Sequence, residues 1–334
     1  MSKPTWICFA GLLLLLVVWG ILAAIGASRG LRAPATLSSL PMSNNAFAQQ
    51  VAAGETTLQS GKTKILFLAL ARDLSPPLTR MRTDLDDCLA RWPRSHLMIL
   101  ENGSVDATRA YLSGWVAVNS SVTLLECCGD GPCDCSGLSD ETTRSGTGFN
   151  RIARMAALRE RLRAEAHKAH GDADYVAVVD IDLPQIPVRQ GIQAMIARSG
   201  EWDVVFANTL KPLNGSLGLK TRQYDTQAFV PVSALGLKPS RLSKRETIFK
   251  ELGENLNNWG FRFLHRGHEP TELIPVGSAF NGFALYKAAA YWDNAVTYGT
   301  GSSICEHISL HMSMHEAGHG RLMLGMPLRM NKWG

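Results

Sequence analysis

The order of apolar and polar residues predicts strands that alternate with helices from about residue 64 onward. Continuous apolar runs of strand length occur at residues 65–71, 96–100, 122–128, 174–183 and 202–208. Such runs are typical of strands that are buried on both faces of a parallel sheet. The stretches between them carry helical spacing, and residues 149–169 are strongly helical and rich in arginine. This alternation predicts an α/β domain with a mostly parallel sheet flanked by helices.

Two stretches lack this regular order. Residues 29–60 are rich in Ala, Ser, Gln, Asn and Gly and contain Pro34 and Pro41, a composition typical of a flexible linker. Residues 236–272 resemble a partly helical insertion, and FNGFALYKAAAYW beyond them predicts a strand that runs into a helix. We therefore expect a stem or linker over residues 27–60 and one folded domain over residues 61–334.

The N-terminal segment departs from the statistics of a globular protein. Residues 6–26 carry no charge, and roughly 20 apolar residues are what a helix needs to cross a membrane. The segment predicts a transmembrane signal anchor behind a tail of residues 1–5, and small residues at its end leave a cleaved signal peptide as the alternative. Sequons at Asn102, Asn119 and Asn214 favour a luminal domain. We expect a single-pass type II protein of the Golgi or endoplasmic reticulum membrane with a cytosolic tail.

Charge and cysteine content narrow the picture a little further. The formal charge of +5 is mild and no Lys/Arg run is interleaved with aromatic residues, so we expect no nucleic-acid partner. Four cysteines crowd into the segment CCGDGPCDC, namely Cys127, Cys128, Cys133 and Cys135. An oxidising compartment would pair them as disulfides, while a zinc site and free thiols stay open as alternatives.

The most informative segment is YVAVVDIDL, an apolar strand that ends in Asp180 and Asp182. In parallel α/β sheets, ligands bind beyond the carboxyl ends of the strands. Two carboxylates there need a positive charge because an ionised carboxylate is costly to desolvate. Mg²⁺ and Mn²⁺ take oxygen ligands, often from a carboxylate together with substrate phosphates. The segment therefore predicts a divalent-metal site, and a strand-end cap is the alternative.

The segment DIDL after a buried strand resembles the DxD motif of glycosyltransferases of the GT-A fold. The segments ILENGSVDATRAYL, YDTQAF, FNGFALYKA and CEHISLH are similar to the pattern of fungal capsule-associated α-mannosyltransferases, in the same order from about residue 64 to residue 331. The segment CCGDGPCDC and residues 236–272 do not match that pattern. The resemblance implies a GT-A-like enzyme that uses Mn²⁺ or Mg²⁺ to move a sugar, possibly mannose, from a GDP- or UDP-sugar to a hydroxyl of a glycan or glycoconjugate.

The resemblance also implies roles for residues that follow the predicted strands. Asp180 and Asp182 would bind the donor metal, with Asp182 as the more direct ligand. Asp73, after the first strand, and the turn at Glu101 and Asn102 occupy positions where such enzymes meet the nucleoside.

Arginine and glycine supply further candidates for contact with the donor. Arg151 and Arg154 share one face of the predicted arginine-rich helix, and Arg159 lies to its side. The planar fork of arginine suits a diphosphate, and an exposed basic helix face is the alternative. Asn281 and Gly282 predict a close approach of the backbone to a ligand, which a structural turn would explain as well.

Acidic and histidine residues near the C-terminus are candidates for the chemistry. Asp225 in YDTQAF would bind a sugar hydroxyl, or it is a solvated loop carboxylate. Glu306 would accept the proton of the acceptor hydroxyl, or it positions substrate if the enzyme retains anomeric configuration. His307 and His311 would complete the metal shell or bind phosphate, since a four-residue spacing puts them on one helix face.

A second motif, HEAGH, matches the zinc-peptidase pattern through His315, Glu316 and His319. Catalytic zinc needs a third protein ligand, no His, Asp or Glu follows His319, and Gly318 weakens the helix that the motif requires. We therefore expect packing or surface histidines, and a zinc peptidase whose third ligand lies upstream of the motif is the alternative. The remaining alternatives to a transferase are a non-catalytic carbohydrate-binding or scaffold protein of the same fold, and a hydrolase that acts on a phosphorylated substrate.

Overall fold

The structure is a computed structural model. It describes residues 45–74, 79–127, 148–183, 186–187, 189–212, 221–223, 228–230, 271–299 and 304–331. The predicted membrane span at residues 6–26, residues 236–270 of the predicted insertion and Asp225 lie outside these ranges. Within the described ranges, no helix has both the length and the apolar character to cross a bilayer.

One nine-stranded sheet organises the described residues. Its strands are β1 (Ile65–Ala71), β2 (His96–Glu101), β3 (Val122–Glu126), β4 (Tyr175–Asp180), β5 (Val204–Pro212), β6 (Thr221–Gln223), β7 (Leu273–Pro275), β8 (Phe283–Lys287) and β9 (Leu322–Asn331). The apolar runs of the sequence form β1 to β5, as expected of strands that are covered on both faces.

The strand order is β3-β2-β1-β4-β8-β5-β9-β7, with β6 beside β5. The pairs β1–β2, β2–β3 and β1–β4 are parallel, so the predicted parallel sheet is confirmed for the first four strands. Beyond β4, strand β8 runs antiparallel to both β4 and β5, and β5–β9 is again parallel. The insertion of β8 brings its first residues to the edge of the sheet at which β4 ends.

Helices cover both faces of the sheet because the strands send alternate apolar side chains into two cores. The helices are α1 (Asn45–Gln59), α2 (Thr79–Arg91), α3 (Thr108–Val118), α4 (Gly148–His170), α5 (Arg189–Ala197), α6 (Ala288–Tyr291) and α7 (Glu306–Glu316). In β1, Ile65 and Phe67 pack with α1, α2, α3 and α5, whereas Leu66 and Leu68 pack with α4, α6 and α7. The expected α/β fold with helices on both faces is therefore confirmed.

The linker prediction for residues 27–60 is wrong for its second half, where α1 is part of the folded body. Phe47 and Leu58 of this helix are buried in the core beside α5. The Glu55 carboxylate accepts hydrogen bonds from the Trp92 indole nitrogen at 3.1 Å and from the Gln193 side-chain amide. The sequence does not predict this helix because a glycine, Gly54, occupies a contact position that a large apolar residue usually fills.

Gly54 allows α1 to lie directly on α5. A Cβ atom at this position would meet the carbonyl oxygen of Gln193 at 1.9 Å, whereas one at Gly114 in the exposed face of α3 would meet nothing within 4 Å. We expect Gly54→Ala to lower the free energy of unfolding by about 1–3 kcal/mol through overpacking. Gly114→Ala, the matched control, should raise it by about 0.5–1 kcal/mol through helix propensity. Chemical denaturation measures both, and equal effects of the two variants would contradict this packing.

Two of the three sequons are poor acceptors in this fold. Asn102 is 3% exposed, and the Asn119 side-chain amide donates a hydrogen bond to Asp86 at 2.7 Å. Asn214 lies outside the described residues. Cys127 is disulfide-bonded, which agrees with the expectation for that cysteine, and the other three cysteines of its cluster lie outside the described ranges. Neither sequon therefore supports a luminal location.

Candidate active site

The candidate site lies at the carboxyl edge of β1 and β4. The chain runs outward from β1 to β2 and β3 and then returns to place β4 on the other side of β1. Such a reversal of strand order opens a crevice at the carboxyl ends of the two central strands, where α/β proteins bind ligands. Asp180 is the last residue of β4 and lies opposite Leu70 in the register with β1. Asp182, exposed, follows it after the buried Ile181.

The turn at Asn281 and Gly282 closes one side of this edge. Both residues have positive φ, 53° and 84°, and the Asp180 amide donates a hydrogen bond to the Gly282 carbonyl at 2.8 Å. The Asn281 side chain donates to the Ala207 carbonyl at 2.9 Å, and the Thr209 hydroxyl donates to the Asn281 carbonyl at 2.7 Å. These bonds favour the structural-turn interpretation of Asn281, which fixes β8 and β5 beside Asp180.

Asp73 and Glu101 shape the opposite side of the edge. Asp73 has a φ of 48°, and its carboxylate accepts a hydrogen bond from the Val105 amide at 2.8 Å. The buried Glu101 carboxylate accepts bonds from the Ser104 amide at 2.5 Å and from Arg109 Nε at 3.1 Å. Burial raises the pKa of Glu101, but these bonds outweigh it and leave the pKa below its ordinary value. Each carboxylate oxygen thus accepts a bond that supports the loop, and the contact of Glu101 with a nucleoside stays a prediction.

Arg159, on α4, is the central charged residue of the site. Its side chain is 5% exposed and lies between two carboxylates. One terminal nitrogen donates to Asp180 Oδ1 at 3.0 Å, and Nε donates to Glu306 Oε1 at 3.3 Å. The guanidinium carbon lies 5.2 Å from the centre of the Phe280 ring. Burial lowers the pKa of Arg159, yet the charges of Asp180 and Glu306 raise it above its ordinary value, so the side chain stays charged.

Arg151 and Arg154 were the predicted donor-binding arginines, whereas Arg159 is the arginine that lies at the site. Arg151 is exposed and Arg154 half-buried. Arg159 instead occupies the buried stripe of α4, between Ala156 and Leu162. Arg159 can be recognised in the sequence as an arginine at a core position of an otherwise apolar helical stripe. Such a position indicates a functional or paired arginine because a charge is seldom buried without partners.

Helix α7 brings Glu306 and His307 to the same place. Glu306 is the first residue of the helix, and its side chain is 10% exposed. The His307 ring stacks on Phe280 with 3.5 Å between ring centres, and neither of its nitrogens has a hydrogen-bond partner. His307 Nε2 lies 3.7 Å from Glu306 Oε1. Burial, and then the charge of Arg159, hold the pKa of His307 well below its ordinary value, so the ring is neutral.

His311 does not fit the predicted role of a metal ligand. Its Nδ1 lies 2.7 Å from the Ser278 hydroxyl and its Nε2 2.9 Å from the Tyr286 hydroxyl, and all three side chains are fully buried. Both ring nitrogens are thus engaged inside the protein. His311 is therefore a packing and hydrogen-bonding residue on the face of the sheet that α4, α6 and α7 cover.

Burial lowers the pKa of His311 to about 3, from 6.5. Between these values the unfolded chain holds a proton on His311 that the folded protein lacks, so stability must fall as pH decreases from about 6.5 towards 3. His311→Gln removes this contribution and should flatten the slope of unfolding free energy against pH by up to about 1.4 kcal/mol per pH unit. Denaturant titrations between pH 4 and 7 test this, and an unaltered slope in His311→Gln would refute it.

The residues at this edge fit a divalent metal only in part. Among the described residues, no group of three or more His, Cys, Asp or Glu side chains could hold a metal ion. Asp180 Oδ1 is bound to Arg159, whereas Asp182 is exposed. Mg²⁺ is usually bound by one or two carboxylates together with substrate phosphates. Asp182 fits that pattern as the main protein ligand, and the described contacts give the predicted histidine ligands no part in it.

The HEAGH motif does not form a zinc-peptidase helix. Helix α7 ends at Glu316, and Gly318 has a φ of 91°, so His315 and His319 do not share a helix face. His319 Nε2 lies 3.0 Å from the Asp293 carboxylate. The peptidase alternative is therefore excluded by the local backbone.

No protein-family model matches the sequence, and no curated protein matches it either. Several solved structures are weakly similar. S. aureus TarS is 11% identical, with a TM-score of 0.43, over 78% of this chain and 35% of that chain. TarS 1–349 in complex with UDP is 11% identical, with a TM-score of 0.43, over 80% and 60%. Mannosyltransferase PcManGT from Pyrobaculum calidifontis, in complex with GDP-Man and Mn²⁺, is 10% identical, with a TM-score of 0.42, over 86% and 66%.

The match covers less than two thirds of the length of each of these chains. Likenesses of this strength establish neither a family nor an activity.

Proposed function

We propose that the chain is a metal-dependent glycosyltransferase with a GT-A-like domain, which moves a sugar from a nucleotide-sugar donor to a hydroxyl of a glycan. One observation carries the proposal. The predicted acidic pair, Asp180 and Asp182, lies at the carboxyl end of a central parallel strand, at the reversal of strand order. This is the place where open α/β sheets bind phosphorylated ligands.

The roles that we propose follow from exposure and contacts. The exposed Asp182 binds the metal together with the donor diphosphate, and the bound metal would neutralise the negative charge that develops on the leaving diphosphate. Asp180 stays paired with Arg159 and fixes the strand end. Glu306, linked to Asp180 through Arg159, binds the acceptor hydroxyl from the side of α7.

The donor sugar and the cellular location belong to the same proposal and rest on the sequence. The resemblance to α-mannosyltransferases supports GDP-mannose as the first donor to test. The uncharged residues 6–26 support a single-pass membrane anchor, and with it a Golgi or endoplasmic reticulum location.

A second candidate is a non-catalytic carbohydrate-binding protein of the same fold. The contact that favours it is the one between Arg159 and Asp180, because an arginine already neutralises one of the two carboxylates that a donor metal would use. The two candidates differ in turnover, which only the transferase performs.

Donor binding is tested by thermal shift on the full chain in a mild detergent, with GDP-mannose, UDP-GlcNAc and related GDP- and UDP-sugars, each with and without Mn²⁺. A ligand that binds only the folded state raises the melting temperature. We expect a rise for one nucleotide class that requires Mn²⁺. The absence of a shift with every donor would contradict the proposal.

A further inference from the structure

The contacts of Arg159 bear on how a metal reaches the site. The Asp180 and Glu306 carboxylates and the Arg159 guanidinium together carry one net negative charge, and the arginine lies between the two acids. A guanidinium in that position serves as the cation that the two carboxylates need. Arg159 thus neutralises carboxylates for which the sequence predicts a divalent metal.

Arg159 is held too firmly to leave easily. Its side chain is 5% exposed, bonds to both carboxylates and lies over the Phe280 ring. Breaking a buried ion pair is strongly unfavourable because it leaves a charge without compensation. A metal that approached Asp180 in the free protein would also be repelled by this fixed positive charge.

We propose that Arg159 is a resident counter-ion that keeps divalent metal off Asp180 and Glu306, so that metal binds only together with a nucleoside diphosphate and through Asp182. This inference rests on the proposed function and deepens it. It makes Arg159 a positioning residue, which determines the order in which metal and donor bind.

The residues around Arg159 explain why its removal should change the affinity for Mn²⁺ in a specific way. Without the guanidinium, Asp180 and Glu306 lose the cation that they share, and Glu306 Oε1 lies 3.7 Å from Nε2 of the neutral His307 ring, whose nitrogens have no hydrogen-bond partner. Carboxylate oxygens and a neutral imidazole are the ligand types that Mn²⁺ accepts. A residue with a merely structural role would weaken every kind of binding when it is replaced, whereas loss of a counter-ion strengthens the binding of metal alone.

The test measures free Mn²⁺ by electron paramagnetic resonance in titrations of the full chain, with MnCl₂ alone, with MnCl₂ and GDP, and with MnCl₂ and UDP. The same titrations without protein are subtracted, because each nucleoside diphosphate chelates Mn²⁺ by itself. For the unaltered protein we expect weak binding of Mn²⁺ alone and an affinity at least about tenfold higher with one of the two nucleotides. For Arg159→Met we expect Mn²⁺ alone to bind at least about tenfold more tightly than in the unaltered protein. Arg159→Lys, which keeps the charge, should behave as the unaltered protein does.

Two results would overturn the inference. One is tight binding of Mn²⁺ alone to the unaltered protein, a measurement that does not depend on any variant folding. The other is an Arg159→Met protein, folded by circular dichroism, whose affinity for Mn²⁺ alone is not increased. Failure of the proposed function gives a different result, because then neither nucleotide raises the affinity of the unaltered protein for Mn²⁺ and the thermal shift described above is absent with every donor.

Discussion

Replacing Asp182 by asparagine should abolish the Mn²⁺-dependent binding of the nucleotide and reduce sugar transfer by about 30- to 1,000-fold. The estimate corresponds to about 2–4 kcal/mol of lost stabilisation of the leaving diphosphate. Asp182 is exposed, so the substitution removes a carboxylate without uncovering the core. The unfolding free energy without ligand should therefore stay within about 0.5 kcal/mol of that of the unaltered protein. Calorimetry with nucleotide and Mn²⁺, together with a transfer assay, measures both effects.

Two comparison variants make this result specific. Asp172→Asn removes an exposed carboxylate at the amino-terminal side of β4, and donor binding should persist. Asp180→Asn should instead lower the melting temperature, because it removes a charged partner of the buried Arg159. An Asp182→Asn protein that binds the nucleotide with Mn²⁺ and transfers the sugar normally would show that Asp182 does not hold the metal.

A fragment that begins at Gly61 should fail to fold stably, whereas one that begins at Ser43 should fold. The shorter fragment lacks α1, which exposes the surface that Phe47 and Leu58 cover and leaves the Trp92 indole nitrogen without its acceptor, Glu55. Loss of two buried apolar side chains costs about 3–6 kcal/mol, and the Trp92 indole nitrogen exchanges its bond to Glu55 for one to water. This loss is comparable with the lower part of the stability of a typical domain, about 5–15 kcal/mol. Thermal unfolding of the two purified fragments measures the difference.

The full chain provides a milder version of the same experiment. Glu55→Gln keeps α1 in place but weakens the acceptor for Trp92, Arg91 and Gln193, and should lower the unfolding free energy by about 1–3 kcal/mol. Equal melting temperatures for the Gly61 and Ser43 fragments would mean that α1 contributes nothing to the folded body.

The strands of the parallel region and their carboxyl edge could be predicted from the sequence because burial on both faces leaves an unbroken apolar run. The apolar run of β4 ends in Asp180, and the sheet places this residue at the predicted carboxyl edge. The antiparallel insertion of β8 could not be predicted, because its apolar residues are the same whichever way the strand runs. Helix α1 could not be predicted because its contact with α5 depends on Gly54. A glycine at that contact leaves only a weak apolar stripe in the sequence.

The candidate site was harder to predict than the fold because a side chain's role depends on its partners. His307 and His311 share a helix face as expected, yet His311 is satisfied by Ser278 and Tyr286 from other parts of the chain. Arg159 and Glu306 are 147 positions apart in the sequence, and no local sequence pattern predicts their contact. The apolar stripe that contains Arg159 is present in the sequence, although the site prediction selected Arg151 and Arg154, and the two carboxylate partners of Arg159 have no local sequence signal.

Turnover of the donor tests the central claim most directly. The full chain is incubated with GDP-mannose and, separately, UDP-GlcNAc, in the presence of glycan acceptors, and release of the nucleoside diphosphate is measured with Mn²⁺ and with a metal chelator. We predict release from one donor class that requires Mn²⁺ and is lost in Asp182→Asn. Binding of a donor without any release would contradict the transferase and favour the non-catalytic protein, and release that continues in chelator and in Asp182→Asn would contradict the metal site at this edge.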